Sequence, residues 1–257
     1  MGQKARHYSE TLEKALRILD LFNEGRQGLT LTDISRRIGV NKTSVYRYLN
    51  TYCELGYLRR ETSSKLLKLG PRAVALAHSF LLSSDLVEII RPLADEVHQE
   101  FDLHVDVGFL HGQAIYLVYR REAKETLAFR HFIAAQGLHY LATGKAALAF
   151  LDPEEQRTVV ERLTLEPKTG WTITDRKELL ADLERTRQRG YSLNDEEFIP
   201  GLIAMGAPIF NLHDSRVIGG VSFDTSTSHF TMSGFEKEYA KVLVELAKKM
   251  SALVPKS

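Results

Sequence analysis

The stretch TLTDISRRIGVNKTSVYRYLN, residues 30–50, contains two helical patterns separated by a single glycine. Thr30 followed three residues later by Asp33 is the signature of a capping box, so the first helix is predicted to begin there. Gly39 suits the left-handed turn that ends a helix, and Asn41 suits the cap that begins the next one. Two helices joined by so tight a turn predict a helix-turn-helix.

The second helical pattern combines an apolar stripe with a polar face. The residues of the stripe recur at helical spacing and are expected to face inward: Val45, Tyr48, Leu49 and Tyr52. A helix that lies in the major groove of DNA presents its first turn and one polar face to bases and phosphates. The side chains on that face, which we expect to contact DNA, are Lys42, Thr43, Ser44, Tyr46 and Arg47.

A hairpin is predicted to follow this helix. Residues 57–60, YLRR, and residues 66–69, LLKL, are typical of two short strands, and the polar segment ETSSK joins them. A hairpin after a helix-turn-helix makes a winged helix-turn-helix, and four arginines are placed to meet the flanking DNA backbone: Arg36, Arg37, Arg59 and Arg60. The alternative is an ordinary solvated, charged helix, but the ordered succession of cap, turn, helix and wing favours DNA binding.

The charge of the chain is divided unevenly. Residues 1–72 hold 14 Lys and Arg against 7 Asp and Glu, a balance of +7, whereas residues 73–257 hold 20 against 26, a balance of −6. A basic segment joined to an acidic one indicates a nucleic-acid-binding head on a body with a different role.

The remainder of the chain predicts a linker helix and an α+β domain. Residues 71–84, PRAVALAHSFLLSS, begin with proline and are apolar nearly all round, as in a helix whose faces are covered by a second copy of the chain. Helical and alternating patterns then predict an antiparallel sheet of about six strands, one of them at residues 126–132. We expect a DNA-binding domain at 1–70, a linker at 71–84 and a second domain at 85–257.

Sequence signatures of catalysis and cofactor binding do not emerge. The segment ATGKAA has a Gly-Lys pair but lacks the first glycine and the Ser or Thr of a P-loop. Residues of the types that bind metals form a loose group without a tight spacing motif: Glu96, His98, His104, Asp106 and His111. The acidic segment DEEF, residues 195–198, has no base or nucleophile near it, which favours ligand binding or loop capping over hydrolysis. We expect no catalytic residues, no metal and no cofactor.

The cellular setting is predicted from composition. The single Cys53 fits a reducing compartment, and the chain has no apolar run of the ~20 residues that a membrane span needs. The first ten residues, MGQKARHYSE, are polar and unlike a signal peptide. We expect a cytoplasmic protein without a membrane partner.

These segments together resemble the IclR family of bacterial transcriptional regulators. At the front, residues 14–60 are similar to its winged helix; behind it, residues 141–151 (LATGKAALAFL), 173–210 and 219–223 (GGVSF) are similar to its effector-binding domain. The resemblance implies a GAF-like C-terminal domain that binds a small organic acid or other metabolite. It also implies homodimers joined through the heads and linker helix, often paired as dimers of dimers.

The resemblance also implies which residues form the ligand pocket. By position in the family pattern these are Leu127, Phe129, Ala142, Thr143, Asn194, Asp195, Leu202 and Ala204. A carboxylate would suit the amides of Ala142 and Thr143, because the start of a helix favours anions.

The chain departs from the family pattern at several of these positions. The segment GLHYLATGKA lacks the usual proline, Ala204 stands where many members have Cys, and Asn194 stands where many have Asp. The missing thiol and charge favour a larger, less polar or less cationic ligand. Aromatic residues nearby, namely Phe129, Phe132 and Tyr140, are consistent with an aromatic acid, although aromatic side chains at strand spacing are also common in a core.

The sequence therefore predicts a transcriptional regulator that binds a pseudo-palindromic, double-stranded DNA operator and responds to a small organic acid. Two alternatives remain at this point. One is a GAF-like enzyme that uses the winged helix for protein interaction, and the other is a dimeric scaffold that binds neither DNA nor ligand.

Overall fold

The computed structural model describes residues 8–24, 28–124 and 134–255 of the chain. The chain divides into two compact units, Met1–Ser83 and Ser84–Ser257. Each unit has its own arrangement of helices and strands, so each is described by itself.

The first unit is a winged helix-turn-helix, which confirms the prediction. Its elements are α1 (Glu10–Asp20), a 3₁₀ turn (Leu21–Glu24), α2 (Leu31–Ile38), α3 (Lys42–Glu54), β1 (Leu58–Arg60), β2 (Leu67–Leu69) and α4 (Pro71–Ser83). The two strands pair antiparallel to form the wing.

The predicted caps of α2 and α3 are present. The Thr30 hydroxyl accepts from the Asp33 amide, and the Asp33 carboxylate accepts from the Thr30 amide, which completes the capping box. Gly39 has a φ of 68°, the left-handed conformation that glycine adopts without a steric penalty. Asn41 Oδ1 accepts from the Ser44 amide at 2.9 Å. These local bonds fix the angle between the two helices.

The core of the first unit is centred on side chains from α1, α2, α3 and the wing: Ile18, Ile34, Val45, Leu49, Leu58 and Leu67. Leu12 and Leu16 of α1 lie away from this core, since both side chains are at least half exposed. The face of α1 that reaches the core is centred on Ile18, with Leu19 and Phe22 packed beside it.

The linker helix α4 carries apolar side chains that this single chain leaves exposed. None of its residues is buried, and its exposed apolar residues include Val74, Leu76, Phe80 and Leu82. Within the described ranges, no single helix is long and apolar enough to cross a membrane; only α4 and the following helix, counted together, meet that length and composition.

The second unit is built on a six-stranded antiparallel sheet, as predicted. Its strands are β3 (His104–His111), β4 (Ala114–Arg121), β5 (Ala134–Gln136), β6 (Ser192–Asp195), β7 (Leu202–Asn211) and β8 (Arg216–Ser226), in the order β5-β4-β3-β8-β7-β6. The strand predicted at residues 126–132 lies outside the described residues.

Helices cover both faces of this sheet. The helices are α5 (Asp85–Phe101), α6 (Ala142–Ala149), α7 (Pro153–Arg162), α8 (Arg176–Arg189) and α9 (Met232–Ala252). α6 packs on β7 and β8 and is itself covered by α8, whereas α5 and α9 pack together on the other face. The result is a three-layer α+β domain with α6 buried between the sheet and α8.

Helix α6 lies unusually close to the sheet because glycines line its path. A Cβ placed on Gly206 of β7 would lie 2.3 Å from the carbonyl oxygen of Ala142, and one on Gly220 of β8 would lie 3.1 Å from that of Thr143. Every residue of α6 is buried, and all of them except Lys145 and Leu148 are small. The sequence thus allows the start of this helix to touch the backbone of the sheet.

We predict that Gly206→Ala lowers the free energy of unfolding by about 1–3 kcal/mol, because the added methyl group must push α6 away from β7. Gly170→Ala is the matched control, since a Cβ at Gly170 meets nothing within 4 Å. The control should change stability by no more than about 0.5 kcal/mol. Urea unfolding of both variants measures the difference, and equal effects would contradict this view of the α6 contact.

Candidate functional site

The outward face of α3 is open to solvent at the positions expected to contact DNA. Lys42, Thr43, Tyr46 and Arg47 are exposed, and Ser44 is half-buried. The amide of Ser44 already donates to Asn41 Oδ1, so the first turn presents side chains more than free amides. The structure therefore brings four of these five residues together on one exposed polar face.

The flanking arginines are not all on one surface. Arg36 and Arg37 are exposed in the last turn of α2, and Arg36 pairs with Asp33 at 3.0 Å. Arg59 and Arg60 are consecutive in β1, and consecutive side chains of a strand point to opposite faces of the sheet. The two wing arginines thus extend from opposite sides of the hairpin.

Lys68 is a cation of the wing that the sequence reasoning missed. It lies directly across the hairpin from Arg59, so the two side chains share a face. Its Nζ is also 2.9 Å from Glu61 Oε1. The pairing register of the LLKL strand was the signal that could have placed it there.

In the second unit, the start of α6 has no side-chain cap. Leu141 occupies the cap position, and its side chain supplies no hydrogen bond to the first amides of the helix. Ala142 and Thr143 are both buried here. The amides of an uncapped first turn and the positive end of the helix dipole together favour an anion at this point.

The direction of α6 shows what lies in front of it. A Cβ on Gly206 of β7 would meet the carbonyl oxygen of Ala142, and a Cβ on Gly220 of β8 would meet that of Thr143. Gly220 pairs with Pro208, which lies further along β7 than Gly206. The helix therefore advances along β7 toward higher residue numbers. Its amino terminus faces the opposite way, toward Ala204.

One row of residues crosses four strands in front of this terminus. Asn194, Ala204, Asp224 and His104 are consecutive partners in the register of β6, β7, β8 and β3. Alternate residues of a strand share a face, so Leu202 and Ala204 lie on the same face as Gly206, the face that α6 covers. The structure thus gathers these residues at the start of α6.

Asp195 does not join this row. It follows Asn194 in β6 and therefore lies on the opposite face of the strand, where it is exposed. Leu127 and Phe129, expected as a wall of the pocket, and the neighbouring Phe132 lie outside the described residues.

Asn194 has its polar atoms engaged inside the protein. Its Nδ2 donates to the carbonyl oxygen of Tyr140, and its Oδ1 accepts from the Glu197 amide at 3.1 Å. Tyr140 lies in the 3₁₀ turn Leu138–Tyr140 that leads into α6, and its ring stacks on that of Phe198. Asn194 therefore holds the backbone of Tyr140, just before α6, and that of Glu197, just after β6.

Lys145 anchors α6 from within. Its side chain is 1% exposed, and its Nζ lies 2.6 Å from Glu197 Oε1 and 3.0 Å from Asp182 Oδ2. Burial raises the pKa of Glu197, and the Lys145 ammonium opposes that rise. The sequence reasoning considered Lys145 only as part of a failed P-loop motif; a lone lysine in a helix of small residues was the signal that it needs buried partners.

A second buried charge cluster lies on the sheet face in front of α6. Asp106 and Arg120 are partners across β3 and β4, with Arg120 Nε donating to Asp106 Oδ1 at 2.6 Å. Burial and the Asp106 carboxylate raise the pKa of Asp224 to about 8, while Arg120 opposes that rise. Arg120 and Asp224 were missed from sequence, although charged residues at inward positions of a strand point to such a cluster.

Three of the residues considered for a metal are engaged in other contacts. His98 Nδ1 is 2.9 Å from the carbonyl oxygen of Leu103, and His104 Nδ1 accepts from the Ala123 amide. Asp106 pairs with Arg120. Within the part of the chain that the structure describes, no group of three or more His, Cys, Asp or Glu side chains could hold a metal ion.

Comparison with protein families gives a match in each unit. The IclR helix-turn-helix domain matches residues 11–62, and the bacterial transcriptional regulator IclR C-terminal domain matches residues 78–252. Together these two matches span most of the chain.

Curated relatives and solved structures agree with this match. The HTH-type transcriptional regulator BhcR of Paracoccus denitrificans (strain Pd 1222) is 34% identical over 209 residues, 81% of this chain and 75% of the relative. The HTH-type transcriptional regulator XynR of Escherichia coli (strain K12) is 30% identical over 220 residues, 85% of this chain and 87% of the relative.

Two solved structures share the fold. The IclR transcriptional regulator from Alicyclobacillus acidocaldarius has a TM-score of 0.78 at 27% identity and covers 96% of this chain and 99% of its own. An IclR homologue from Microbacterium hydrocarbonoxydans, solved in complex with 4-hydroxybenzoate, has a TM-score of 0.70 at 22% identity, covering 95% and 98%.

We predict that Lys145→Met destabilises the chain by about 3–5 kcal/mol, because it leaves Glu197 buried without its counter-charge and leaves Asp182 with Arg185 alone. Without the ammonium the folded-state pKa of Glu197 rises further above its unfolded value. The carboxyl group is then neutral in acid and uncompensated at higher pH, so the loss should be larger at pH 8 than at pH 5.

The matched control for this prediction is Lys241→Met. Lys241 is 89% exposed and lies 3.9 Å from Glu245, a surface pair of small energetic value. Chemical unfolding at both pH values provides the measurement. A loss at Lys145 no greater than at Lys241 would show that the buried ion pairs do not anchor α6.

Proposed function

This chain belongs to the IclR family of bacterial transcriptional regulators, and we propose that it binds duplex operator DNA through α3 and the β1–β2 wing. The observation that carries the proposal is the exposed polar face of α3, on a helix whose start is fixed by the Asn41 cap. A helix held in this way can present its first two turns to the major groove.

The proposed DNA contacts are divided by chemistry. Side chains of α3 meet bases and nearby phosphates, and arginines of α2 and the wing meet the flanking backbone. The first group is Lys42, Thr43, Ser44, Tyr46 and Arg47, and the second is Arg36, Arg37, Arg59 and Arg60. Arg59 and Arg60 extend from opposite sides of the hairpin. One of them therefore lies nearer than the other to any one phosphate backbone of the DNA duplex.

We predict that Arg47→Ala weakens operator binding by about 10-fold or more, because a guanidinium in the groove contributes about 1–3 kcal/mol. Arg157→Ala, which removes an exposed arginine of α7 in the second unit, is the control and should leave affinity unchanged. Gel shifts at two fixed salt concentrations measure both variants. Unchanged affinity of the Arg47 variant would remove this residue from the DNA contact.

For the second unit, we propose that a small organic acid binds in front of the amino terminus of α6. Its carboxylate would accept from the amides at Ala142 and Thr143, beside Asn194, Leu202 and Ala204. Asp195, on the other face of its strand, would act from the rim. Support comes from the uncapped helix start and from the 4-hydroxybenzoate complex of the Microbacterium homologue.

The aromatic surroundings favour an aromatic acid. Tyr140 stacks on Phe198 next to the start of α6, with the two ring centroids 5.3 Å apart. These rings make the surroundings of the helix start aromatic and apolar, which suits an aromatic ligand. An aromatic acid would also suit a site that has Ala204 in place of a thiol.

The acid would regulate DNA binding by binding more tightly to one arrangement of the two DNA-binding domains of a dimer than to another. We propose a homodimer, or a dimer of dimers, in which the exposed apolar side chains of α4 are covered by a second copy. A palindromic operator then matches the two-fold symmetry of the protein. We further propose that the chain acts in the cytoplasm and is not an enzyme, in keeping with relatives that are transcriptional regulators.

We predict that isothermal titration detects binding of benzoate-type acids to the full chain, and that benzamide, which lacks the carboxylate, binds at least about 10-fold more weakly. The reason is that only the charged group benefits from the helix start. A panel of aliphatic acids is titrated alongside. Binding of glyoxylate or pyruvate alone would contradict an aromatic effector.

A further inference from the structure

Asp224 has a polar atom that the fold leaves unsatisfied. Its Oδ1 is buried and finds no hydrogen-bond partner within the described part of the chain. A buried acceptor without a donor is costly, and folded proteins satisfy nearly all such groups. Asp224 lies directly between Ala204 and His104 in the row of residues in front of α6.

The charges around Asp224 do not supply the missing donor. Asp106 holds Arg120 through both of its carboxylate oxygens, so this guanidinium is already committed to a two-bonded ion pair. Burial and the carboxylates of Asp106 and Glu122 all raise the pKa of Asp224 and so favour its neutral form. Its Oδ1 therefore needs a hydrogen-bond donor rather than a counter-charge.

The register of the sheet sets the distance from Asp224 to the helix start. Ser222 pairs with Gly206, where an added Cβ would touch Ala142. Asp224 lies two residues further along β8 than Ser222. Two residues of a strand span about 7 Å. A small molecule can bridge this distance with one end at the amides of α6 and the other at Asp224.

We propose that the effector carries a hydroxyl or ammonium group at the end opposite its carboxylate, and that Asp224 Oδ1 accepts a hydrogen bond from this group. The inference rests on the proposed binding of an organic acid at α6 and adds the second recognition element of the site. The start of α6 offers hydrogen-bond donors and Asp224 Oδ1 offers an acceptor, which selects a ligand with an acceptor at one end and a donor at the other.

The experiment compares matched acids by isothermal titration on the full chain. One set is 4-hydroxybenzoate against benzoate, and the other is 5-hydroxypentanoate and 5-aminopentanoate against pentanoate. At least one donor-bearing acid should bind 10-fold or more tightly than its parent, because a site with an unpaired buried acceptor rejects a ligand without the donor. The hydroxy and amino compounds separate a hydroxyl effector from an ammonium effector.

Asp224→Ala should reduce this preference to less than threefold, since the accepting oxygen is gone. Glu155→Ala, an exposed carboxylate of α7, is the control and should keep the full preference. Asp224→Asn keeps the size of the side chain and is measured as well, with thermal unfolding of each variant to establish that it folds. The amide replaces one carboxyl oxygen with an NH2 donor and should also lower the preference.

The outcomes distinguish this inference from the proposed function. Equal binding of the parent and donor-bearing acids overturns the role of Asp224 and leaves acid binding intact. A preference that persists in both Asp224 variants also overturns it. If none of these acids binds, the organic-acid effector and the role of Asp224 both fail.

Discussion

The second unit depends on the buried ion pairs of Lys145. They join α6 to α8 through Asp182 and to the segment after β6 through Glu197. Because this segment also carries the bond between Glu197 and Asn194, the anchor of the helix and the rim of the candidate pocket belong to one network. Desolvating three charges is unfavourable by itself, so the network stabilises only when all its partners are in place. It therefore holds the start of α6 in one position.

That position gives the candidate pocket its polarity. The uncapped amides of α6 provide a positive end, and Asp224 Oδ1 provides a buried hydrogen-bond acceptor at the other end. In the first unit, short-range bonds play the corresponding role, since the caps at Thr30 and Asn41 orient α2 and α3. One unit thus relies on local hydrogen bonds for its geometry, and the other on contacts between residues distant in the chain.

This difference explains which predictions from sequence were confirmed. The helix-turn-helix, its wing and the six-stranded sheet follow from caps and hydrophobic periodicity, which are local signals. Periodicity defines a helical stripe but not the part of it that meets the core, since Leu12 and Leu16 of α1 are at least half exposed. Likewise, adjacency in sequence suggested that Arg59 and Arg60, or Asn194 and Asp195, would act together. The alternation of a strand separates each pair.

The sequence by itself determined the two-part organisation of charge, the winged head and the resemblance to a regulator family, since each depends on residues close together in the chain. Only the tertiary structure decided the partners of Lys145 and the meeting of Asp106, Arg120 and Asp224. Asp106 and Asp224 are more than one hundred positions apart, and the antiparallel register of β3 and β8 brings them together. No local pattern specifies the pairing of β3 with β8, because no short turn joins these strands.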